Sequence, residues 1–258
     1  MKNQLTEQQI RTFYQQGYLH LPQAISPVLL SQLTQDSNAL LNHIYRQLKS
    51  GRIHPDHAFT CRYFQSYLNR IYNFHRYAKA RTMTLLGSDL VQNIVNQLCH
   101  RQHILSVDMM IIKNRGDDLD INWHQDIIYD PTKDNIIALG IYLEPAHIDD
   151  GAITLIANSH HQQHHIEQLL QQQNQQVTIA AQAGDIIVHN PMLVHRSSSL
   201  QKQQIRRTLY YEFRNLAQVQ NRWSPNTIQA KQAIERQAIS HYHQFLRDCT
   251  HETHNLCC

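Results

Sequence analysis

From residue 104 onward the chain is cut into short runs of β-forming residues, and this punctuation limits the folds open to it more than any other feature. The runs cover 104–113, 136–143, 153–156, 177–180, 185–189 and 206–213, with breaks at Gly116, Pro131, Pro145, Gly151, Gly184 and Pro191. Gly and Pro interrupt strand pairing and favour turns. Many short strands spaced by them point to a sandwich or jelly roll.

The flanks have a different period. Residues 5–49 read as helical, with Leu5, Ile10, Phe13 and Tyr14 on one face, Thr6 and Gln9 as a capping box and Gly17 as the stop. Residues 18–21 alternate and suit a short strand before Pro22. A second helix is expected to open at Pro27, without Ser26 as its cap, and to run through Leu29, Leu33, Leu40 and Ile44. Residues 51–81 interleave Arg62, Tyr63, Tyr67, Arg70, Tyr72, His75 and Arg76. That mixture suits a pocket for an anionic or aromatic substrate. It equally suits an amphipathic helix whose arginines snorkel, and the helix is the preferred expectation. Helical periodicity returns over 226–247.

A chain of 258 residues is near the upper size of one domain. The expected layout is a single domain over 1–258: a helical part to about 100, a β core over about 104–214 and a C-terminal helix over about 226–247. The 23 basic and 20 acidic residues are spread without blocks, which gives no footprint for nucleic acid. The longest apolar run, 136–143, is far too short to span a membrane, and the first residues lack the apolar stretch of a signal peptide. Five cysteines, an odd number without a CxxC pair, fit a reduced cytoplasmic protein. The Cys257-Cys258 pair reads as a frayed tail rather than a lipidation site, and the His/Gln-rich tract 160–176 as a polar surface loop rather than a metal tract.

With 19 histidines in the chain, a His-x-Asp or His-x-Glu match is cheap, and four occur. His54/Asp56 contains a proline and reads as a turn, His147/Asp149 runs into the Asp150-Gly151 turn, and His165/Glu167 sits in the Gln-rich tract on a helical stretch. His124-Gln125-Asp126 remains. In extended backbone, positions i and i+2 project to one side, so one strand end presents both ligands to one ion. A third ligand must come from the 185–195 segment, where His189 and His195 are both candidates. Two histidines and one carboxylate form the ligand set of non-heme Fe(II) oxygenases. An arginine further on suits a bidentate clamp on a carboxylate co-substrate.

These residues resemble the phytanoyl-CoA dioxygenase family of Fe(II)/2-oxoglutarate oxygenases over nearly the whole chain. The resemblance rests on the 5–22 opening, His124-Gln125-Asp126, Gly151 with Ile153 to Ile156 and Ser159-His160, and Gly184-Asp185 followed by His195, Ser197 and Arg206. It implies a double-stranded β-helix core (jelly roll, cupin-like). It also implies a metal triad of His124, Asp126 and His195, with His195 preferred over His189. Arg206, rather than Arg207, and Ser197 would hold the co-substrate carboxylate, and Met109 and Gln125 would line its pocket. Alternation supports the first choice, since Arg206, Thr208 and Tyr210 share a face that Arg207 does not. The implied activity is that of an oxidoreductase: a dioxygenase that uses iron, 2-oxoglutarate and O2 to hydroxylate a small molecule, releasing succinate and CO2. Desaturation, cyclisation, epimerisation or a non-catalytic metal-binding role are the alternatives. The family's Pro-Gly before Ser-His is here Ala157-Asn158, and Asn tolerates the left-handed backbone such a turn needs.

Overall fold

Capping chemistry sets the first elements of the computed structural model, which describes residues 4–62, 65–77, 79–99, 102–127, 136–171 and 176–255, with the backbone alone for 79–80 and 249–255. Thr6 and Gln9 form the capping box of α1 (Glu7–Gln16), and Gly17 ends it at φ 85°. β1 (Tyr18–Leu21) follows. Ser26 does cap α2 (Pro27–Lys49), contrary to the expectation: its hydroxyl accepts the Leu29 N–H while Pro27 occupies the first turn. Serine and proline act together here because Pro27 has no N–H to satisfy.

The 51–81 segment departs from the helix expected of it. It forms a hairpin, β2 (His57–Arg62) and β3 (Gln65–Tyr72), which extends a sheet by pairing β3 with β4 (His103–Asn114). Its aromatic and β-branched residues suit a pleated surface, and the neighbouring strand supplies the backbone partners that override helical periodicity. Helices α3 (Lys79–Leu86) and α4 (Asp89–Leu98) lie between the hairpin and β4. Tyr63, the 128–129 segment, Pro131, residues 172–175 of the Gln-rich tract and Cys257-Cys258 lie outside the described residues.

The core strands fall close to the expected runs. They are β5 (Ile121–His124), β6 (Ile136–Tyr142), β7 (Ile153–Ile156), β8 (Gln176–Ile179), β9 (Ile186–His189), β10 (His195–Ser197) and β11 (Ile205–Asn215). Three helices complete the described chain: α5 (Ile166–Gln171), α6 (Leu216–Val219) and α7 (Pro225–Asn255), the last longer than its periodic stretch. Part of the 160–176 tract is ordered structure rather than surface loop, since His160 is buried and α5 lies within it.

Two antiparallel sheets result, in the order β1-β9-β6-β11-β4-β3-β2 and β5-β10-β7-β8, the paired layers of a jelly roll with flanking helices. β11 shows how the large sheet divides its labour. Arg207, Leu209 and Tyr211 point outward, where Leu209 and Tyr211 join Met110, Ile112 and Leu139 in a core shared with α2 and α4. Arg206, Thr208 and Tyr210 point inward, toward the small sheet. β6 is buried along its whole length because both faces are covered. Gly140 makes room there, since a Cβ at that position would stand 3.1 Å from the Tyr210 ring. An apolar cluster that includes Ile153, Leu155 and Ile187 fills part of the space between the sheets, and the rest is a cavity. Among the described residues, no helix is long and apolar enough to cross a membrane.

Candidate metal centre

Backbone pairing brings the two halves of the centre together. His124, the last residue of β5, is the direct antiparallel partner of His195, the first of β10, and their rings lie 4.2 Å apart. Asp126 sits just beyond the strand end rather than in it, and its N–H donates to the carbonyl of Pro191, 2.9 Å away, in the segment leading to His195. Ser159 fixes the same segment from the other side: its hydroxyl accepts the Val194 N–H at 2.8 Å and donates to the Ile156 carbonyl at 2.7 Å. The turn before Ser159 is intact, with Asn158 left-handed at φ 67° in place of glycine.

The donor atoms of His124, Asp126 and His195 all lie within 4.8 Å of one another. His124 Nε2 is 3.2 Å from Asp126 Oδ1, and His195 Nε2 is 3.7 Å from Asp126 Oδ2. Both rings are oriented by the carbonyl two residues back: His124 Nδ1 meets Asn122 O at 2.7 Å and His195 Nδ1 meets Leu193 O at 2.8 Å. A carbonyl only accepts, so each Nδ1 carries a hydrogen, and in the neutral imidazole each Nε2 presents a lone pair toward the carboxylate. Lone pairs and a carboxylate facing one another at this range repel unless a cation is shared among them, which is the donor arrangement of a metal site.

The carboxylate shapes the protonation of the set. Desolvation acts to raise the Asp126 carboxyl, but His124, His189 and His195 outweigh it and hold it well below the usual carboxylate range. Burial pushes the His195 imidazole down to about 4, which keeps it a neutral ligand. Desolvation acts to lower His124 as well, but the hydrogen bond and charge of Asp126 leave it raised. The set opens on one side, since the His195 side chain is 10% exposed against 34% for His124 and 38% for Asp126.

The cavity beside this set is walled by the inner face of the large sheet and by the small sheet. Arg206 enters it from β11, 2% exposed. Its Nη1 donates to the Gly151 carbonyl and its guanidinium lies 5.6 Å from the Tyr142 ring, yet its buried Nε has no hydrogen-bond partner. Gly151 is needed at that contact: it is left-handed at φ 82°, and a Cβ there would stand 2.6 Å from Leu200 Cδ2. Ser197 and Met109 also line the cavity. Gln125 does not. Its amide nitrogen donates to Gln162 O at 2.9 Å and Met192 O at 2.5 Å, and its oxygen accepts the His164 N–H, so its polar atoms fasten loops outside the cavity. His189 stays outside the close group of three, with Nε2 3.6 Å from Asp126 Oδ2 and no hydrogen-bond partner at either ring nitrogen. Asp185, by contrast, is structural, accepting from Gln23 N and Gln182 N and pairing with His20.

Tyr142, also in the cavity wall, carries no site signal in the sequence, and Arg70 is marked only through a segment that suits a pocket or, by preference, a helix. Tyr142 ends a run that is apolar throughout, so no alternation marks its face. Arg70 lay in a segment whose strand character was hidden by its mixed composition.

Comparisons with known proteins bear on the family and the fold. The family model described as Phytanoyl-CoA dioxygenase (PhyH) matches residues 13–208. No curated protein sequence matches the chain. Among solved structures, AviO1 from Streptomyces viridochromogenes Tue57 is similar at TM-score 0.71 and 20% identity, covering 81% of this chain and 95% of its own. EctD from S. alaskensis, solved with 2-oxoglutarate and 5-hydroxyectoine, is similar at TM-score 0.69 and 14% identity, covering 84% and 79%. SnoK, a non-heme alpha ketoglutarate dependent carbocyclase from nogalamycin biosynthesis, is similar at TM-score 0.62 and 16% identity, covering 86% and 92%. At these identities the structural matches establish the shared fold. The family match spans most of the chain, from the first helix to the strand that carries Arg206, and on it the chain belongs to the phytanoyl-CoA dioxygenase family.

Proposed function

We propose that this protein is an Fe(II)/2-oxoglutarate-dependent dioxygenase that hydroxylates a small-molecule substrate, and that the whole chain works as one catalytic domain in the cytoplasm. The observation that carries the reading is the convergence of two Nε2 atoms and the Asp126 carboxylate in the lining of a cavity that also holds a buried arginine with an unpartnered Nε. The donor set is the facial triad of non-heme iron, and the free Nε suits an incoming carboxylate.

His124, Asp126 and His195 hold the metal, and Asp126 offers it a charged oxygen. Arg206 binds the distal carboxylate of 2-oxoglutarate through the fork edge that includes Nε, with the Ser197 hydroxyl beside it. Lys113 keeps that corner in shape. Its buried ammonium donates to Leu119 O and Ser197 O at 2.8 Å and Ser198 O at 2.5 Å, and burial pushes its pKa down to about 7. Met109, Tyr142 and Tyr210 wall the co-substrate and exclude water, which strengthens the Arg206 contact. Bound at this site, iron and 2-oxoglutarate supply the activation of O2, with succinate and CO2 as co-products.

The same machinery serves cyclisation, desaturation or epimerisation when a substrate presents a different atom, and SnoK, with the same fold, is a carbocyclase. The test is substrate-independent release of succinate from 2-oxoglutarate by the iron-loaded protein. Wild type is expected to turn over and His124→Ala to fall to background. Full turnover in His124→Ala contradicts the iron assignment, and none in wild type favours a non-catalytic metal-binding protein.

A further inference from the structure

Three imidazoles face the Asp126 carboxylate, and they are of two kinds. His124 and His195 each have Nδ1 tied to a backbone carbonyl, at 2.7 Å and 2.8 Å, so in the neutral ring the hydrogen sits on Nδ1 and Nε2 is a ligand atom. His189, the last residue of β9, has no such tie. Both its ring nitrogens are buried without a hydrogen-bond partner, and the residue is 2% exposed. A buried ring with neither nitrogen partnered carries the desolvation cost of both, and native structures rarely leave such groups without a purpose.

The surroundings of the ring narrow that purpose. β9 lies between β1 and β6, where His189 pairs with Tyr18 and Ala138. The side chain lines the metal cavity, its ring 5.0 Å from that of His195 and edge-on to Tyr210 at 6.4 Å. Nε2 stands 3.6 Å from Asp126 Oδ2, just outside hydrogen-bond range, and the Asp126 side chain, 38% exposed, is the less confined of the two. His189 also stays outside the group of three whose donor atoms lie within 4.8 Å of one another. With no carbonyl to hold the hydrogen on Nδ1, the neutral ring is free to carry it on Nε2, where a carboxylate oxygen is near enough to accept it. Carboxylates that bind a metal are themselves hydrogen-bonded, and the groups that hold them change metal affinity by about 10–100-fold.

We infer that His189 is a positioning residue of the metal centre: its Nε2–H donates to Asp126 Oδ2 and holds the carboxylate in place for the ion it shares with His124 and His195. The inference rests on the metal reading of those three residues and adds a fourth that works as a donor, where the other two rings work as lone pairs. The distinction lies in the tautomer, set by whether a backbone carbonyl holds Nδ1.

The experiment titrates the full chain, stripped of metal, with Co(II) by calorimetry in the absence of 2-oxoglutarate, for wild type, His189→Phe, His189→Gln and His189→Asn. Phe keeps a planar ring without nitrogen. Gln offers an amide N–H at about the reach of Nε2, and Asn at about the reach of Nδ1. Co(II) affinity is expected to fall by about 10–100-fold in His189→Phe and about as far in His189→Asn, and to stay within about threefold of wild type in His189→Gln. Metal-free His189→Phe is expected to melt no lower than wild type, since it removes two unpartnered buried nitrogens. An affinity within about threefold of wild type in His189→Phe or His189→Asn overturns the inference. So does a loss in His189→Gln equal to that in His189→Phe, which assigns the ring to the metal itself or to packing. A fall in melting temperature that tracks the loss of affinity across the variants overturns it as well, by tying both to packing. Failure of wild type to bind Co(II) at all strikes the metal reading and takes this inference with it.

Discussion

Arg206 and Arg207 are adjacent in sequence, equally buried at 2% and 3% exposure, and opposite in what surrounds them. Arg207, on the outer face of the large sheet, has a partner at each guanidinium nitrogen. Nε donates to Glu144 Oε1 at 2.9 Å and Nη2 pairs with the same oxygen, while Nη1 reaches Ser37 Oγ at 2.9 Å and Asn38 Oδ1 at 2.7 Å. Arg206, on the inner face, keeps its Nε unpartnered. A buried charge with every nitrogen partnered serves stability, and one left incomplete is disposed toward a ligand. The same contrast separates the two faces as wholes. The outer face is closed by helices over an apolar core, whereas the inner face carries Tyr142, His189, Arg206 and Tyr210 around a cavity.

The largest effect is expected on the outer face. Arg207→Ala leaves Glu144, 17% exposed, without its partner and should destabilise the protein by about 3–5 kcal/mol in chemical unfolding. A loss below about 1 kcal/mol would erase the distinction between the faces. Arg206→Ala should reverse the pattern, raising the 2-oxoglutarate KM by about a hundredfold, roughly 2.7 kcal/mol, with a smaller loss of stability than Arg207→Ala. Equal effects of the two substitutions on KM would refute the division of roles.

The smallest expected effect lies where α7 meets β4 and concerns pH. Desolvation pushes Glu235 up to about 7, above its usual value of 4.5, and its carboxylate accepts the Leu105 N–H. A carboxyl raised in the folded state contributes stability that is present below pH 4.5 and is lost as pH rises toward about 7. Glu235→Gln should therefore flatten the decline in stability across that window, by on the order of 1 kcal/mol, in thermal melts followed from pH 4 to 8. An unchanged decline would show that the carboxyl titrates alike in folded and unfolded chains.

The contrast between faces was partly legible in the sequence. Alternation along Arg206, Thr208 and Tyr210 placed the two arginines on opposite sides, and the turn residues bounded most core strands. The capping box of Thr6 and Gln9 is local chemistry and formed as read. What stayed hidden depends on tertiary partners. The hairpin exists because β4 offers an edge to pair with. β10 is three residues long and defined by its neighbours β5 and β7. Asp126 is brought to His195 by the Pro191 carbonyl rather than by strand geometry. Gln125 carries the family pattern, but its amide works for the loops at Gln162, His164 and Met192.

The most direct measurement is an anaerobic titration of the protein with Fe(II) and 2-oxoglutarate, followed by visible absorption. Wild type and Arg207→Ala, wherever the latter stays folded, should develop the charge-transfer band of the chelate at similar 2-oxoglutarate concentrations. Arg206→Ala should need far more, and Asp126→Ala should give no band. A band of full strength in Asp126→Ala, or none in folded wild type, would contradict the assignment of iron and 2-oxoglutarate to this cavity.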